Sequence, residues 1–571
     1  MMQMQWDIIK PDETLVRRIQ ERLDCHPVTA AVIANRRLDS PDKAADFIEP
    51  SMSDLPSPFM LSDMRPAVER ICQALEKDEK ILVIGDYDAD GITATAVITG
   101  FLESAGARIR YHLPHRIHEG YGFNRDHVMQ LARPQGAGLI ITVDCGSASH
   151  QAVEAATRFG IDTIITDHHR IDDLMPAAFA VINPQKPGEP EELSLLAGVG
   201  VAFYLAIALR MALRDYGWWR ERPEPNLKAL CDLVAIGTVA DVVPLLGVNR
   251  ILTKIGLQEL NYRRRPGIRA LLDVSGISRG AVVSEDIAYR IAPRINAAGR
   301  ISHAKRAMDL LCATDSATAE KLAETLNGLN RRRQSIETLI FDEIVHRMES
   351  RPDLLQRRTI LAASENWHEG VLGIVAAKLA AQYHRPVVLI STRNGIAKGS
   401  GRSIATIDLF EALSRCAHLL ERFGGHRSAA GLSLCTEKIH LLRDAFEKAV
   451  DASTVEDDMV PRLAIDSMLS FDQITPKLMD ELEYLEPYGS ENPPPVFRAD
   501  DVHVQSGMMF KQRHRRMRLA QNSRPTEAID AVQFNLTPDA PRPNYFQRMA
   551  FRLQWNRYRG NKKIQMVVEA C

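Results

Sequence analysis

The chain has 571 residues, 45% hydrophobic and 25% charged, with 71 Lys and Arg set against 73 Asp and Glu. These values exclude a disordered or low-complexity polypeptide and predict roughly three or four globular domains. Net charge near zero excludes a globally basic nucleic-acid coat, and the eight cysteines, with no CxxC pair, exclude a disulfide scaffold.

Residues 1–60 read as a helical N-terminal segment, with Pro11-Asp12 and Ser40-Pro41-Asp42 as helix starts. The opening run MMQMQWDIIKPDE lacks a basic stretch followed by an apolar one, so no secretory signal is expected. No apolar run is long enough to cross a bilayer. Together with reduced thiols, this predicts a cytoplasmic protein without a membrane partner.

The pattern changes at Lys80. ILVIGD reads as a strand and GITATAVITGFLESAG as the helix after it. ARIRYHLP and GLIITVD read as further strands, QAVEAATRFG as a helix, and DTIIT and AFAVINP as two more strands. Strands alternating with helices predict a parallel sheet with crossover helices in a unit spanning 61–260. LCDLVAIGTVADVVPL reads as a buried helix and loop. Residues 261–350 form a helical connector, ending in a long amphipathic helix whose polar face carries Arg331, Arg332 and Arg333.

A second, smaller α/β unit spans 351–455. RTILAAS and PVVLIST are strand-like, with a helix starting near Val371 between them. Its glycine-rich segments, KGSGRS and GGHRSAAG, read either as plain turns or as anion cradles. Residues 456–571 alternate with a period of two and predict an OB-like β-barrel. Between Lys511 and Lys563 there are 13 Lys or Arg and 3 Asp or Glu, interleaved with Phe534, Tyr545, Phe546, Phe551, Trp555 and Tyr558. Such a surface suits single-stranded nucleic acid, although alternation assigns some of these rings to the barrel core.

Four acidic and histidine segments carry the chemistry. Asp86, Asp88 and Asp90 lie in GDYDADG, Asp144 in TVDCGS, Asp167-His168-His169 in TDHHR, and Asp241 in GTVADVVP. Asp86, Asp144 and Asp167 each follow a predicted strand, at the sheet edge where α/β proteins bind ligands. A lone Asp in that position is more often a helix N-cap. Four such segments in order point instead to cations held by carboxylates and imidazole. Two divalent ions about 3.5–4 Å apart can cleave a phosphoester by activating water, neutralising the phosphate and stabilising the leaving oxygen. Asp144, on its own strand, is the candidate bridge, His168 the nitrogen ligand and Asp241 the last carboxylate. His169 is placed beside the phosphate as a donor or proton carrier. The alternation of Asp86, Asp88 and Asp90 predicts a shared face on an extended stretch, or convergence in a loop. Nitrogen among the oxygens favours Mn2+, with Mg2+ also compatible.

GDYDADG, TVDCGS, TDHHR and GTVADVVP resemble the four motifs of the DHH phosphoesterase superfamily. GGHRSAAG resembles the glycine-histidine motif of its DHHA1 domain. RINAAGR, ENWHEGVLGIVAAK, SGRS and LEPYGSENPPPVF resemble the RecJ family in particular, from about residue 50 onward. The resemblance implies an α/β fold: a parallel-sheet DHH domain and a smaller DHHA1 domain joined by a long helix, followed by an OB-like barrel. It implies a 5′→3′ exonuclease that degrades single-stranded DNA to mononucleotides with Mn2+ or Mg2+, in repair and recombination. Asp86, Asp88, Asp90, Asp144, His168 and Asp241 would hold two ions, with Asp144, His168 and His169 catalytic. Arg116, Ser400 and Arg402 would bind the 5′-terminal phosphate, while Arg294, Asn296, Gly424, Gly425 and His426 would contact substrate. A single-strand DNA-binding protein and a helicase are the candidate protein partners. The rival readings are a DHH phosphodiesterase of short oligonucleotides or small phosphoesters, and a non-catalytic DNA-binding scaffold. The basic module argues against the first, and the complete ligand set against the second.

Overall fold

Strand β1 (Gln5–Ile8) is followed by helices Glu13–Leu23, Pro27–Asn35 and Pro41–Ile48, the first and third capped by Asp12 and Ser40. The computed structural model describes residues 4–171, 174–277, 280–393, 395–511, 513–521, 524–536, 541–556 and 562–571.

Five parallel strands build the first unit: β2 (Lys80–Ile84), β3 (Arg108–His112), β4 (Leu139–Val143), β5 (Asp162–Thr166) and β6 (Ala180–Ile182), in the order β3-β2-β4-β5-β6. β4 is buried at every position because helices cover both faces, so its sequence, LIITV, does not alternate polar with apolar residues. Val83, Ile141 and Ile164 join the large core on one face; Ile84, Ile140 and Ile165 join a smaller core on the other.

The connector ends in one helix of 35 residues, Ser316–Ser350. Arg331 and Arg332 are exposed on it. Arg333, expected on the polar face, is instead buried and donates to Asn330 and Glu337. A charge at this position stays inside because its partners lie on the same helix.

The second unit contains β7 (Ile360–Ser364), β8 (Val387–Arg393), β9 (Ile396–Arg402), β10 (Arg422–His426) and β11 (Ala429–Cys435), in the order β10-β11-β9-β8-β7. KGSGRS is not a turn: it lies in β9, paired on both sides, with Ser400 opposite Leu389 and Gly431. GGHRSAAG is the β10–β11 hairpin.

β12 (Arg462–Ile465) pairs in parallel with β1, so the N-terminal strand meets the strand that leads into the barrel. β13 (Ser467–Met468), β14 (Phe497–Phe510), β15 (His514–Gln521), β16 (Arg524–Gln533), β17 (Tyr545–Asn556) and β18 (Lys563–Ala570) form the terminal sheet, which the β14–β17 pairing closes into a barrel. Phe546 and Phe551 are buried in it, Phe534 and Tyr545 are exposed, and Trp555 lies under Lys562. Tyr558 lies outside the described residues. Ile19, Ile33 and Phe47 of the N-terminal helices share one core with Leu478, Phe497 and Phe551. Buried Arg250 ties these parts together by donating to the carbonyls of Phe47 (2.6 Å), Leu485 (3.0 Å) and Glu486 (3.0 Å). No described helix is long and apolar enough to cross a membrane.

Candidate metal centre

Asp144 and Asp167 directly follow β4 and β5, and Asp86 lies two residues beyond β2. Asp88 caps helix Ala89–Ser104, accepting from the Gly91 amide at 3.1 Å. Asp90, two residues further, accepts from the Gly198 and Val199 amides at 2.7 and 2.9 Å. Those amides begin helix Gly198–Asp215, so two helix N-termini face the acids and offset their charge. A Cβ on Gly198 would stand 2.4 Å from Asp144 Oδ1, so only glycine allows this approach. Asp241 caps the C-terminal end of helix Cys231–Ala240.

The acids sort into two groups. Asp86, Asp88 and Asp144 each offer an oxygen, all within 4.8 Å of one another, and Asp90, His168 and Asp241 form a second set on the same criterion. His168 Nε2 lies 3.2 Å from Asp144 Oδ1, 3.5 Å from Asp241 Oδ2 and 3.7 Å from Asp90 Oδ2. Asp144 therefore touches both groups. Asp86 Oδ1, Asp144 Oδ1 and His168 Nε2 are buried and lack a hydrogen-bond partner among the described residues. Orphaned buried acceptors are costly, and a cation satisfies all three at once. The donor set, carboxylates with one imidazole, fits Mn2+ or Mg2+.

Charge follows the same logic. Burial, then the neighbouring Asp88, raises the carboxyl of Asp90 to about 7 and that of Asp86 well above its ordinary range. Burial and Asp90 do the same to Asp144 and Asp241. These acids repel one another unless cations intervene. Burial, then the charge on His169, lowers His168 to about 4, leaving it a neutral imidazole suited to ligation. Asp167 accepts from the amides of Ser147, His168 and His169 and from His169 Nδ1 at 2.8 Å. Burial opposes ionisation of this pair, but their mutual bond prevails: Asp167 falls to about 2 and His169 rises to about 9. His169 is thus held as an imidazolium beside the acids.

A cleft of about 920 Å³ opens between the two α/β units and is lined by Arg116, Tyr121, Ser400, Gly424 and Gly425, among others. Arg402 Nη1 lies 3.4 Å from Ser400 Oγ. Arg300 is lowered to about 9 by burial and by Arg116 and Arg402, and Arg402 is lowered by burial and Arg116. Three guanidinium groups thus gather with no ion pair among the described residues, an arrangement that suits an anion. Burial, then Arg402 and His169, depress His426.

Two expected substrate residues are engaged within the protein, and Asn296 stands beside Arg300 at a second cavity. Arg294 donates to Asn327 and to the carbonyls of Arg290 and Val274, tying its helix to the connector. Asn296 accepts the Ala89 amide at 2.8 Å and so fixes the start of the helix bearing Asp90. Sequence reasoning missed Tyr121, whose hydroxyl is 3.1 Å from His169 Nδ1 and 3.4 Å from the Asp144 carbonyl oxygen. It also missed Arg300 and the orienting role of Asp167. For Asp167 the signal was present, since it precedes the two histidines directly.

Three domain families match the chain: "DHH family, N-terminal domain" over residues 80–238, "DHHA1 domain" over 357–452 and "RecJ OB domain" over 465–570. Single-stranded-DNA-specific exonuclease RecJ from Dickeya dadantii is 38% identical over 542 residues, covering 91% of this chain and 92% of the relative. The Escherichia coli protein of the same name is 36% identical over 545 residues, covering 92% and 93%. The Bacillus subtilis protein is 36% identical over 536 residues, covering 93% of this chain and 66% of the relative. Among solved structures, RecJ from Thermus thermophilus with Mn2+ superposes with a TM-score of 0.84 at 29% identity, over 99% of this chain and 79% of that one. The same protein with Mg2+ gives 0.77 at 28% identity, over 99% and 78%. With near-complete coverage by such relatives and three matching domains, the chain belongs to the RecJ family of DHH phosphoesterases.

Proposed function

We propose that this protein hydrolyses single-stranded DNA from its 5′ end to mononucleotides, using two divalent cations, Mn2+ or Mg2+. The observation that carries the proposal is the shared contact between the two donor groups, Asp144 Oδ1 to His168 Nε2 at 3.2 Å. Asp86, Asp88 and Asp144 would hold one ion, and Asp90, His168, Asp241 and Asp144 the other. When bound, such a pair activates water and neutralises the phosphate.

The chain's own residues supply the rest. His169, kept protonated by Asp167, donates to a non-bridging oxygen of the scissile phosphate and balances its charge. Arg116, Ser400, Arg402 and Arg300 bind the terminal 5′-phosphate. A phosphate anchored there presents the next phosphodiester to the acids, so each cut releases one nucleotide and proceeds from the 5′ end. His426 and the bare backbone at Gly424 and Gly425 close the far wall. The exposed basic and aromatic side chains of the barrel would track the remaining strand, giving salt-dependent affinity without sequence preference.

Such an activity belongs to DNA repair and recombination in the cytoplasm, downstream of a helicase that unwinds duplex and beside a protein that coats single strands. The test is digestion of a long oligonucleotide labelled at either end, in Mn2+. Immediate release of a 5′-labelled mononucleotide, with the 3′ label retained on progressively shorter strands, is expected. Release of the 3′ label first, or cleavage of a dinucleotide only, overturns the proposal.

A further inference from the structure

Arg116 and Tyr121 stand on one irregular segment, residues 113–124, which leaves β3 and enters the helical turn Arg125–His127. Tyr121 is anchored at its own end by its hydroxyl contacts to His169 and the Asp144 carbonyl, but these do not hold the stretch that carries Arg116. Among the described residues, the Arg116 guanidinium rests only on a ring, 4.8 Å from the centroid of Tyr87. The Tyr121 side chain is 52% exposed. A tether is therefore needed elsewhere.

Glu119 supplies it. One carboxylate oxygen accepts the His115 amide at 2.8 Å. The other lies 2.7 Å from His112 Nε2, at the end of β3, and 3.1 Å from His127 Nε2, in the helical turn. A single carboxylate thus joins the entrance, the middle and the exit of the segment. His127 is buried, and its Nδ1 accepts the Asn124 amide at 3.3 Å. That bond places the imidazole proton on Nε2, aimed at Glu119. The same three side chains converge closely enough to hold a metal ion, but His127 offers the cluster a proton rather than a lone pair. Burial works against the charge on Glu119, yet the His115 amide and the two imidazoles hold its carboxyl down to about 2. Glu119 does not line the cleft.

We propose that Glu119 is a positioning residue for the 5′-end pocket: it fixes where Arg116 and Tyr121 stand, and so sets the preference for a 5′-phosphorylated end over a 5′-hydroxyl end. This rests on the assignment of Arg116 to the terminal phosphate.

The test measures kcat and KM in Mn2+ on one single strand bearing either a 5′-phosphate or a 5′-hydroxyl. The proteins compared are wild type, Glu119→Ala, Glu119→Gln, Arg116→Ala and the double Arg116→Ala/Glu119→Ala variant. Displacing a binding group by about 1 Å costs on the order of tenfold to a hundredfold. Glu119→Ala should therefore raise KM for the phosphorylated strand by about tenfold or more, with a smaller change for the hydroxyl strand and an unchanged half-saturating Mn2+ concentration. In the Arg116→Ala background the same change should add less than about twofold, because the two residues act as one unit. Glu119→Gln, which keeps one acceptor oxygen, should fall between wild type and Glu119→Ala, and it carries the test if Glu119→Ala fails to melt cooperatively. Loss of preference in Arg116→Ala but not in the Glu119 variants overturns the inference and leaves the pocket standing. Equal losses on both strands would mark Glu119 as merely structural and also overturn it. Unchanged preference in Arg116→Ala removes the pocket assignment and this inference with it.

Discussion

Asp144 is the sharpest place to test the metal centre, because it touches both donor groups and its backbone lies at φ +60°. Asn adopts that left-handed conformation more readily than Ala, so Asp144→Asn removes the charge while sparing the backbone. Without metal, the oxygens of Asp86, Asp88 and Asp144 stand within 4.8 Å of one another. Like charges at that distance repel by about 3.5 kcal/mol per pair at an effective dielectric of about 20. Partial protonation relieves part of this, leaving about 3 kcal/mol for the substitution to recover. At about 2–4 °C per kcal/mol, the metal-free variant should melt roughly 6–12 °C above wild type. Mn2+ should close most of that gap. At a hundredfold excess over Kd it adds about 2.7 kcal/mol to wild type, and the variant should lose most of that gain. Turnover should fall at least a hundredfold, since even outer-shell changes cost about 10–100-fold. Thermal melts in EDTA and in Mn2+, paired with a nuclease assay, read all three quantities. A variant less stable than wild type in EDTA, yet still stabilised by Mn2+, would show that Asp144 is a structural acid and not a ligand.

The metal-free protein should also lose stability as pH rises from 6.5 to 8, read from melting in EDTA. Asp90, raised to about 7, and His169, raised to about 9, both keep protons in the folded state that the unfolded chain has shed, so each stabilises at low pH and loses that contribution as pH rises through its folded value. His168, lowered to about 4, acts oppositely only below about 6.5, and Lys254, lowered to about 8, and Arg300, lowered to about 9, act oppositely only above about 8; a melting temperature that climbs from 6.5 to 8 contradicts the burial argument. Tyr121→Phe removes the hydroxyl 3.1 Å from His169 while keeping the ring. A hydrogen bond to a charged group is worth about 1.5–3 kcal/mol, so single-turnover cleavage should slow by about 10–100-fold with the same Mn2+ requirement, and an unaltered rate would remove Tyr121 from the site. Arg250→Met should destabilise by about 3–5 kcal/mol in urea unfolding, because it orphans the carbonyls of Phe47, Leu485 and Glu486; a loss below about 1 kcal/mol would show those carbonyls finding other partners.

The metal half of the site was legible because its chemistry sits at strand ends. A continuous apolar run marks a buried parallel strand, and the first polar residue after it must lie at the sheet edge; Asp144 and Asp167 follow β4 and β5 by that rule alone. The grouping of the acids was not legible. Alternation placed Asp86, Asp88 and Asp90 on one face, but the backbone turns helical after Asp88. Asp90 is thereby rotated onto the amides of Gly198 and Val199 and joins His168 and Asp241 instead. The sharing of a core between the N-terminal helices and the barrel was likewise invisible, because Ile19 and Phe551 are non-local partners and periodicity reports only local order.

The cleft half was harder for a different reason. Glycine carries no side-chain chemistry, so KGSGRS and GGHRSAAG could be read as turns until pairing placed one in β9 and the other at a hairpin. Their use depends on what faces them. At Gly424 a Cβ would meet nothing within 4 Å, which is open cleft, whereas at Gly425 it would strike the Ala429 carbonyl oxygen at 2.3 Å, with φ at +146°. Gly424→Ala should therefore fold normally and obstruct only the strand, while Gly425→Ala should distort the hairpin that carries His426. Comparing the two separates substrate contact from backbone shape. A higher KM with an unchanged melting temperature in Gly424→Ala alone is the expected result. Equal loss of stability in both variants would mean that this wall serves the fold and not the DNA.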